Sequence, residues 1–563
     1  MPKLSAYELE REANIARNKA LLQELELKQA VASLPTKAKA KAASKPIQPA
    51  KREKRKREPE AEQPRRKSAR LRKGAIDPDE TPEERIKRER EEEEERQREE
   101  EKRLREEEAK RIAQRPRHNK LDMVALIENG PAEIETLTKA FEAVPKSSVE
   151  RTGDFDAYAF EDSKEDERAL KDLRERMSKL VVHARAKVTM NRIYCAAYHP
   201  EVTKDLIFFG DRYGQLGIWD ARAPADDDEE VEEGADREGG KYWRMQLHWP
   251  ANAKSSISSI KMDPIDAHNI YTSSYDTTVR SLSFTTGQSR EVFSTDSNNL
   301  VNCIDISPDG HEMWISDSQG WATQLDPREA KHRARSYALS DNKIGSISIN
   351  PTRPHFIATA SNSRFVKVWD VRKLSAMVAE MGDDTAATSD EERPSTIDFL
   401  GETVNEYMQS EAGKGGLRGE FLHGKSATAA YWDPRGRQIV STSYDDTLRL
   451  WNLDGPSLDS KTAFKKFQPF SRISHNCQTG KWVSLLKATW TKNPDVYPYF
   501  TIANMNHALD IYSCKGDLVQ QLADPRRITA VQAVTCSHPS IVERIATGNG
   551  SGRCVLWAPE DLE

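Results

Sequence analysis

From about residue 180 onward, one unit recurs seven times, and nothing else in the chain limits its fold as strongly. Each copy has an alternating apolar run that ends in a polar residue and Pro. A second run rich in small residues follows, then a turn, then a third run ending near Trp. The fifth copy is the clearest, with Ala429–Pro434 followed by Gln438–Asn452. The repeat prolines are Pro200, Pro264, Pro308, Pro351, Pro434, Pro494 and Pro539. Three of their spacings fall at 43–45 residues, the length of one four-stranded blade, and the longer ones must hold insertions. Seven such units in one chain predict an all-β, seven-bladed β-propeller over residues 178–563. The seventh unit ends near Trp557 without a fourth strand, so an upstream segment is needed to close the ring. Leu180-Val-Val-His183 is the candidate, because an open blade edge would otherwise persist.

Trp-Asp pairs end two of the third runs, Trp219-Asp220 and Trp369-Asp370, which makes this the WD-repeat type of propeller. In such a blade, the loop before the first strand and the loop between strands two and three share one face. Basic residues stand seven to ten positions before the repeat proline in five copies: Arg192, Lys254, Lys343, Lys425 and Lys487. The second set of loops adds Arg212, Tyr213, Tyr275, Arg364, Tyr444 and His507. Cations suit phosphates and flat rings suit unstacked bases, so one rim is expected to bind nucleic acid, double- or single-stranded. Ordinary surface lysines are the plainer alternative. Near blade six, Arg472, His475, Lys481 and Trp482 form a polar loop that could probe a duplex or merely pack. Asp220 with Arg222, and Asp370 with Arg372, could offer a bidentate cation to a partner carboxylate, or simply cap their turns.

The preceding residues have a different texture. Residues 1–120 hold 35 basic and 26 acidic residues and one aromatic, Tyr7. Such a stretch cannot bury enough apolar area to offset its ordering entropy, so a largely disordered, charged N-terminal arm with helical segments is expected. An amphipathic helix is expected over 1–34, behind the capping pattern Ser5-Ala-Tyr-Glu8. A basic linker over 35–80 carries the clusters Lys51–Arg57 and Arg65–Lys73, which suit nuclear import. A Glu/Arg-rich charged helix is expected over 81–118, and a linker over 119–177 that packs beneath the ring. Two acidic runs, 226–238 and 380–411, read as inserts between blades that could screen DNA or attract histones. Without them and residues 121–180, the propeller has a net charge of +9.

No run approaches the roughly 18 apolar residues of a spanning helix, so no membrane partner is expected. The start of the chain has no apolar signal core, and six Cys without a CxxC pair suit a reducing compartment. The sequence has no P-loop, GxSxG, HExxH or metal-spaced Cys/His cluster, so neither catalysis, a cofactor nor a metal is expected. Cys195, Cys303 and Cys536 read as packing residues of first strands, and His199 and His538 as loop-shaping residues.

Together these residues resemble a known family, the fungal DNA damage-binding WD-repeat proteins of the changed-mutation-rate type. That family is related to the small subunit of the damaged-DNA-binding complex. The likeness spans nearly the whole chain. It rests on Asn14–Asn18, Ser68–Leu71, Arg192-Ile-Tyr194 before His199-Pro200, and the His475–Trp482 loop. It implies a nuclear, non-enzymatic protein that binds DNA, with preference for UV-damaged duplex. Lys343 matches a DNA-contact segment of the better-known relative, and 474–482 stands where that relative carries a lesion-probing hairpin. The Phe-Gln-His wedge of that hairpin is absent, which leaves Trp482 as a substitute candidate. The Trp-Asp-x-Arg motifs match those that dock propellers on a cullin-ligase adaptor, implying substrate-receptor work. A scaffold of that kind, a chromatin adaptor, and a ribosome-biogenesis propeller remain the alternatives.

Overall fold

The computed structural model describes residues 120–560, apart from 129, 148–150, 160–162, 225–238, 296–298, 330–333, 381–395 and 478–484, together with Arg96, Arg98 and Arg103. The expected helix over 1–34, the basic linker, Lys481, Trp482 and the acidic run 226–238 lie outside the described residues, as does most of the charged stretch 81–118.

Seven sheets, each built on an antiparallel four-stranded meander, follow one another in chain order, giving the seven-bladed propeller. Blade 5 shows the pattern, with strands Ala427–Trp432, Gln438–Ser443, Thr447–Asn452 and Ser471–Ser474 running from the inside out. Inner strands are buried on both sides, as blade-to-blade packing requires, so Leu206–Asp211 and Phe356–Ser361 are buried at every position. Closure follows the expected route. Leu180–Lys187 pairs antiparallel with Arg553–Pro559 and becomes the outer strand of blade 7, setting Val182 opposite Trp557. Every other residue of this strand, from Leu180 to Ala186, is buried, so half of it enters the core.

The inserts correct the sequence reading. Both lie inside a blade rather than between blades. Residues 221–240 separate the third and fourth strands of blade 1, and residues 371–416 do the same in blade 4. The sequence shows a gap in the repeat, but a lone outer strand such as Leu417–Leu422 has no repeat mark of its own. Part of the second insert adds Thr396–Phe399 as a parallel fifth strand on blade 3, where Phe399 stacks on Tyr337 at 5.2 Å.

In an antiparallel meander, first-to-second and third-to-fourth turns emerge on one face, and the remaining turns on the other. All seven repeat prolines lie in or beside first-to-second turns, so this is termed the proline face and its opposite the basic face. Residues before the repeat prolines staple neighbouring blades there. The His199 ring bonds Ala267 O at 2.9 Å, Asn350 Nδ2 donates to Gly436 O, Asn493 Nδ2 to Ser540 O, and the His538 ring bonds Glu201 O at 2.8 Å.

The described residues among 121–178 form a strap across the proline face. Three helices occur in it: α1 (Met123–Leu126), α2 (Pro131–Glu142) and α3 (Ser163–Ser178). Gly130, with φ +97°, and Pro131 at the first turn start α2. Its Leu137 and Phe141 lie on one face and enter the core of blades 1 and 2, where Phe141 stacks on Phe284 at 4.1 Å. The strap touches the first-to-second turns of six blades. Its partners are Lys204, His268, Arg353, Pro434, Asp495 and Glu543, in blades 1, 2, 4, 5, 6 and 7. Phe155 lies between two guanidinium groups, Arg353 at 4.4 Å and Arg437 at 5.4 Å from its ring centre.

Candidate functional site

The strap covers much of the proline face, while the expected cations gather on the other. Their loops are positioned by one backbone bond repeated from blade to blade. The turn after the second strand donates an amide to the carbonyl just before the first strand. The bonds are Arg212 N to Arg192 O, Tyr275 N to Ser256 O, Ser318 N to Leu300 O, Asn362 N to Lys343 O and Tyr444 N to Ser426 O, all 2.9–3.0 Å. Four of these bonds tie a cation-bearing or aromatic turn to a cation-bearing loop, whereas the blade 3 pair, Ser318 and Leu300, joins segments with neither. Arg212, Lys254, Arg364 and Lys425 are exposed there, while Arg192, Lys343 and Lys487 are half-buried. Arg212 lies 5.8 Å from the Tyr213 ring. Lys343 lies 5.2 Å from the Tyr275 ring, with Nζ 3.3 Å from the hydroxyl. Burial pulls the Lys343 ammonium below its ordinary value.

Among the described residues, acids on this face are mostly turned inward. Asp211 accepts from Tyr213 N and Gln215 N, and Asp317 from Gln319 N and Trp321 N. Asp276 faces the His248 ring at 3.0 Å, and Asp445 pairs with Arg449 at 3.0 Å. Their negative ends bond backbone amides and buried rings, leaving the outward field to Lys and Arg. Asp341 is an exposed exception.

Other expected site residues lie elsewhere. Arg472 is opposite Arg449 on the outer strand of blade 5, at the circumference rather than the mouth. His475 is 5 % exposed, its ring bonding Ala503 O at 3.0 Å and facing Asp510 at 3.6 Å. It tethers blade 5 to blade 6 and cannot reach a ligand as placed. His248 and His423 do similar work, reaching Thr272 Oγ1 at 2.9 Å and Ser441 Oγ at 3.1 Å. The partner-docking residues are on the proline face. Arg222 is drawn to buried Asp205 at 2.8 Å and donates to Thr203 O at 2.6 Å. Arg372 bonds both oxygens of Asp370, at 2.9 and 2.6 Å, while its side chain stays 60 % exposed.

Sequence reading missed one set of residues. In five blades the first strand has a bulge at its second residue, where two residues oppose one: Tyr194, Ser258, Asn302, Gly345 and Thr428. A bulge re-aims its extra side chain, and these five converge on one cavity of about 240 Å³ at the mouth of the central channel. Tyr275, Tyr444, Lys343 and Lys487 also line it. A shared second position in each first strand was the available signal, but a bulge breaks the alternation by which strands are read. Below the mouth, the channel has a further cavity of about 250 Å³, lined in part by Cys195, Cys303 and Cys536. Burial raises the Cys195 thiol and pushes Cys536 up to about 12, so these two are packing residues rather than nucleophiles.

A ring of blades closed by an upstream strand, with His–Ser/Thr bonds between loop and inner strand, defines a WD-repeat β-propeller. Residues 418–452 match the family described as WD domain, G-beta repeat. That span takes in the outer strand of blade 4 and three strands of blade 5, so the sequence unit is offset from the blade, which is why closure needs an upstream strand. Over 499 residues the chain is 37 % identical to a "DNA damage-binding protein CMR1" of Cryptococcus neoformans, covering 80 % of this chain and 82 % of that protein. It is 33 % identical to the protein of that name from Phaeosphaeria nodorum, over 98 % of both chains. The one from Mycosarcoma maydis is 30 % identical, over 69 % of this chain and 74 % of that protein. The chain belongs to the CMR1 family of WD-repeat proteins.

Proposed function

We propose that this is a nuclear, non-enzymatic DNA-binding protein that prefers UV-damaged duplex and holds it on the basic face. The observation that carries this reading is the arrangement of cations. Arg212, Lys254, Arg364 and Lys425 are exposed on the face that the strap does not cross. The names of the relatives point to the same ligand. Phosphate contacts supply most of the affinity, and damage preference follows from the lower cost of unstacking or kinking a lesion. The basic clusters of residues 51–73 add sequence-independent affinity and an import signal. The test is a competition between UV-treated and untreated duplex for the full-length protein. Tighter binding of treated duplex is expected, whereas equal affinity removes the damage preference and leaves DNA binding standing.

A second reading, docking on a cullin-ligase adaptor, is favoured by Arg372 alone, because both arginines pair with an aspartate but Arg372 stays 60 % exposed and Arg222 only 23 %. Arg372→Ala should then abolish adaptor pull-down without changing DNA affinity. Histone binding by the acidic inserts is tested separately, by deleting residues 226–238 and 381–395 and measuring histone affinity. An unchanged affinity dismisses it.

A further inference from the structure

Asn302 stands apart among the described residues. It is 3 % exposed, yet neither Oδ1 nor Nδ2 has a hydrogen-bond partner, and it is the only residue with both side-chain polar atoms buried and unmatched. Leaving a buried amide unmatched on both sides is costly, so such a group marks a strained or functional position. Asn302 is the bulge residue of blade 3 and lines the mouth cavity. Its bulge counterparts make no similar demand. Ser258 Oγ donates to Val301 O and Thr428 Oγ1 to Thr442 O, while Gly345 has no side chain. Packing against the next blade holds Gly345 to glycine, since a Cβ there would come within 2.9 Å of Thr428 O.

The surroundings select the ligand. Tyr194, Tyr275 and Tyr444 supply aromatic surface, and Lys343 and Lys487 supply positive charge. An aromatic cage for a methylated lysine would need a cation to enter beside two ammonium groups, which like-charge repulsion opposes. A planar ligand attached to phosphate meets no such penalty. An amide with a free donor beside a free acceptor complements the Watson–Crick edge of a nucleobase, where donor and acceptor also lie side by side. That edge is hidden in a duplex and exposed only when the base leaves the stack.

We infer that the mouth cavity accepts one nucleobase extruded from the duplex, with Asn302 bonding its Watson–Crick edge, the tyrosines stacking on it and the lysines holding its phosphates. This rests on the DNA-binding reading and gives it a lesion sensor within the ring. Any base can present a donor–acceptor pair to an amide able to turn over, so the cavity reads unpairing rather than sequence. Damaged or mismatched positions enter because they cost least to unpair.

The test uses the full-length protein, its Asn302→Leu and Asn302→Asp variants, and two duplexes. One is fully paired; the other carries 2-aminopurine in a mismatch, which brightens when it unstacks. Removing an unmatched amide should leave the melting temperature of Asn302→Leu at or above wild type, a check on folding. Wild type should brighten the mismatched probe and bind it at least tenfold tighter than the paired duplex. Both variants should lose most of that preference while binding paired duplex as wild type does. Equal preference in wild type and variants, with no brightening, overturns the inference and leaves DNA binding intact. Failure of wild type to bind either duplex overturns the DNA reading itself. A trimethyl-lysine peptide that binds wild type, is displaced by DNA, and is lost in Asn302→Leu would also overturn the inference.

Discussion

At the scale of single residues, the turns between second and third strands show a choice. Each of the seven holds one residue at positive φ. Three use Gly, at 214, 320 and 552, whereas the others use Thr277, Arg364, Asp446 and His507. A side chain in the left-handed region costs about 1–2 kcal/mol, so Arg364 at φ +74° is strained on the basic face where glycine would serve. Arg364→Gly should leave stability unchanged or raise it by up to about 1 kcal/mol, after the greater unfolded freedom of glycine is counted. It should also weaken DNA binding. A melting curve with a binding isotherm checks both, and unchanged affinity would remove Arg364 from the interface. Histidines set a second prediction. Burial lowers His199 and His423 to about 4, and also lowers His538. Above pH 6.5 each is neutral folded and unfolded. Between pH 6.5 and about 4 only the unfolded chain takes up the proton at His199 and His423, so stability falls as the pH falls through that window, and His538 acts in the same direction. His199 alone contributes on the order of 3 kcal/mol to this loss. Melting temperature should drop across the window and drop less in His199→Gln. An identical drop would contradict the assignment. The sequence marked His199 and His538 as loop-shaping residues through their place before Pro. It could not separate His475 from a surface probe, because its partner Ala503 O is a backbone atom 28 residues away.

At the scale of elements, the closing strand was legible because the seventh unit lacks a fourth strand and Leu180-Val-Val-His183 stands just before the first unit; the structure extends it to Lys187 and buries Leu180, Val182, Ala184 and Ala186. Deleting residues 178–186 exposes the edge of blade 7 and removes these buried side chains. Melting temperature should fall on the order of 10 °C or more, and an unchanged melt would show that the ring closes otherwise. The strap was less legible. Its anchors are single residues, such as Phe155 and Tyr158, bound to loops whose chain positions are hundreds of residues away. The bulges were illegible for a different reason. They shift the register by one residue, a backbone event that no residue type demands, and Tyr194, Ser258, Asn302, Gly345 and Thr428 are five different residue types.

For the whole molecule, a net charge of −5 conceals separated charges. The two acidic inserts arise from third-to-fourth strand turns, so they are rooted on the proline face, opposite the basic loops. That arrangement leaves the basic face open to a polyanion. The N-terminal arm is basic too, so affinity alone cannot separate arm from ring, but a difference in salt dependence can. The most direct measurement is the slope of log affinity against log salt for undamaged duplex, with full-length wild type and the Lys254→Glu, Arg364→Glu, Lys425→Glu triple variant. If these three side chains neutralise phosphates, the slope should become shallower by about 0.9 for each, nearly 3 in all, and affinity at low salt should fall sharply. Superimposable slopes and affinities, with the variant folded, would contradict the assignment of DNA to the basic face.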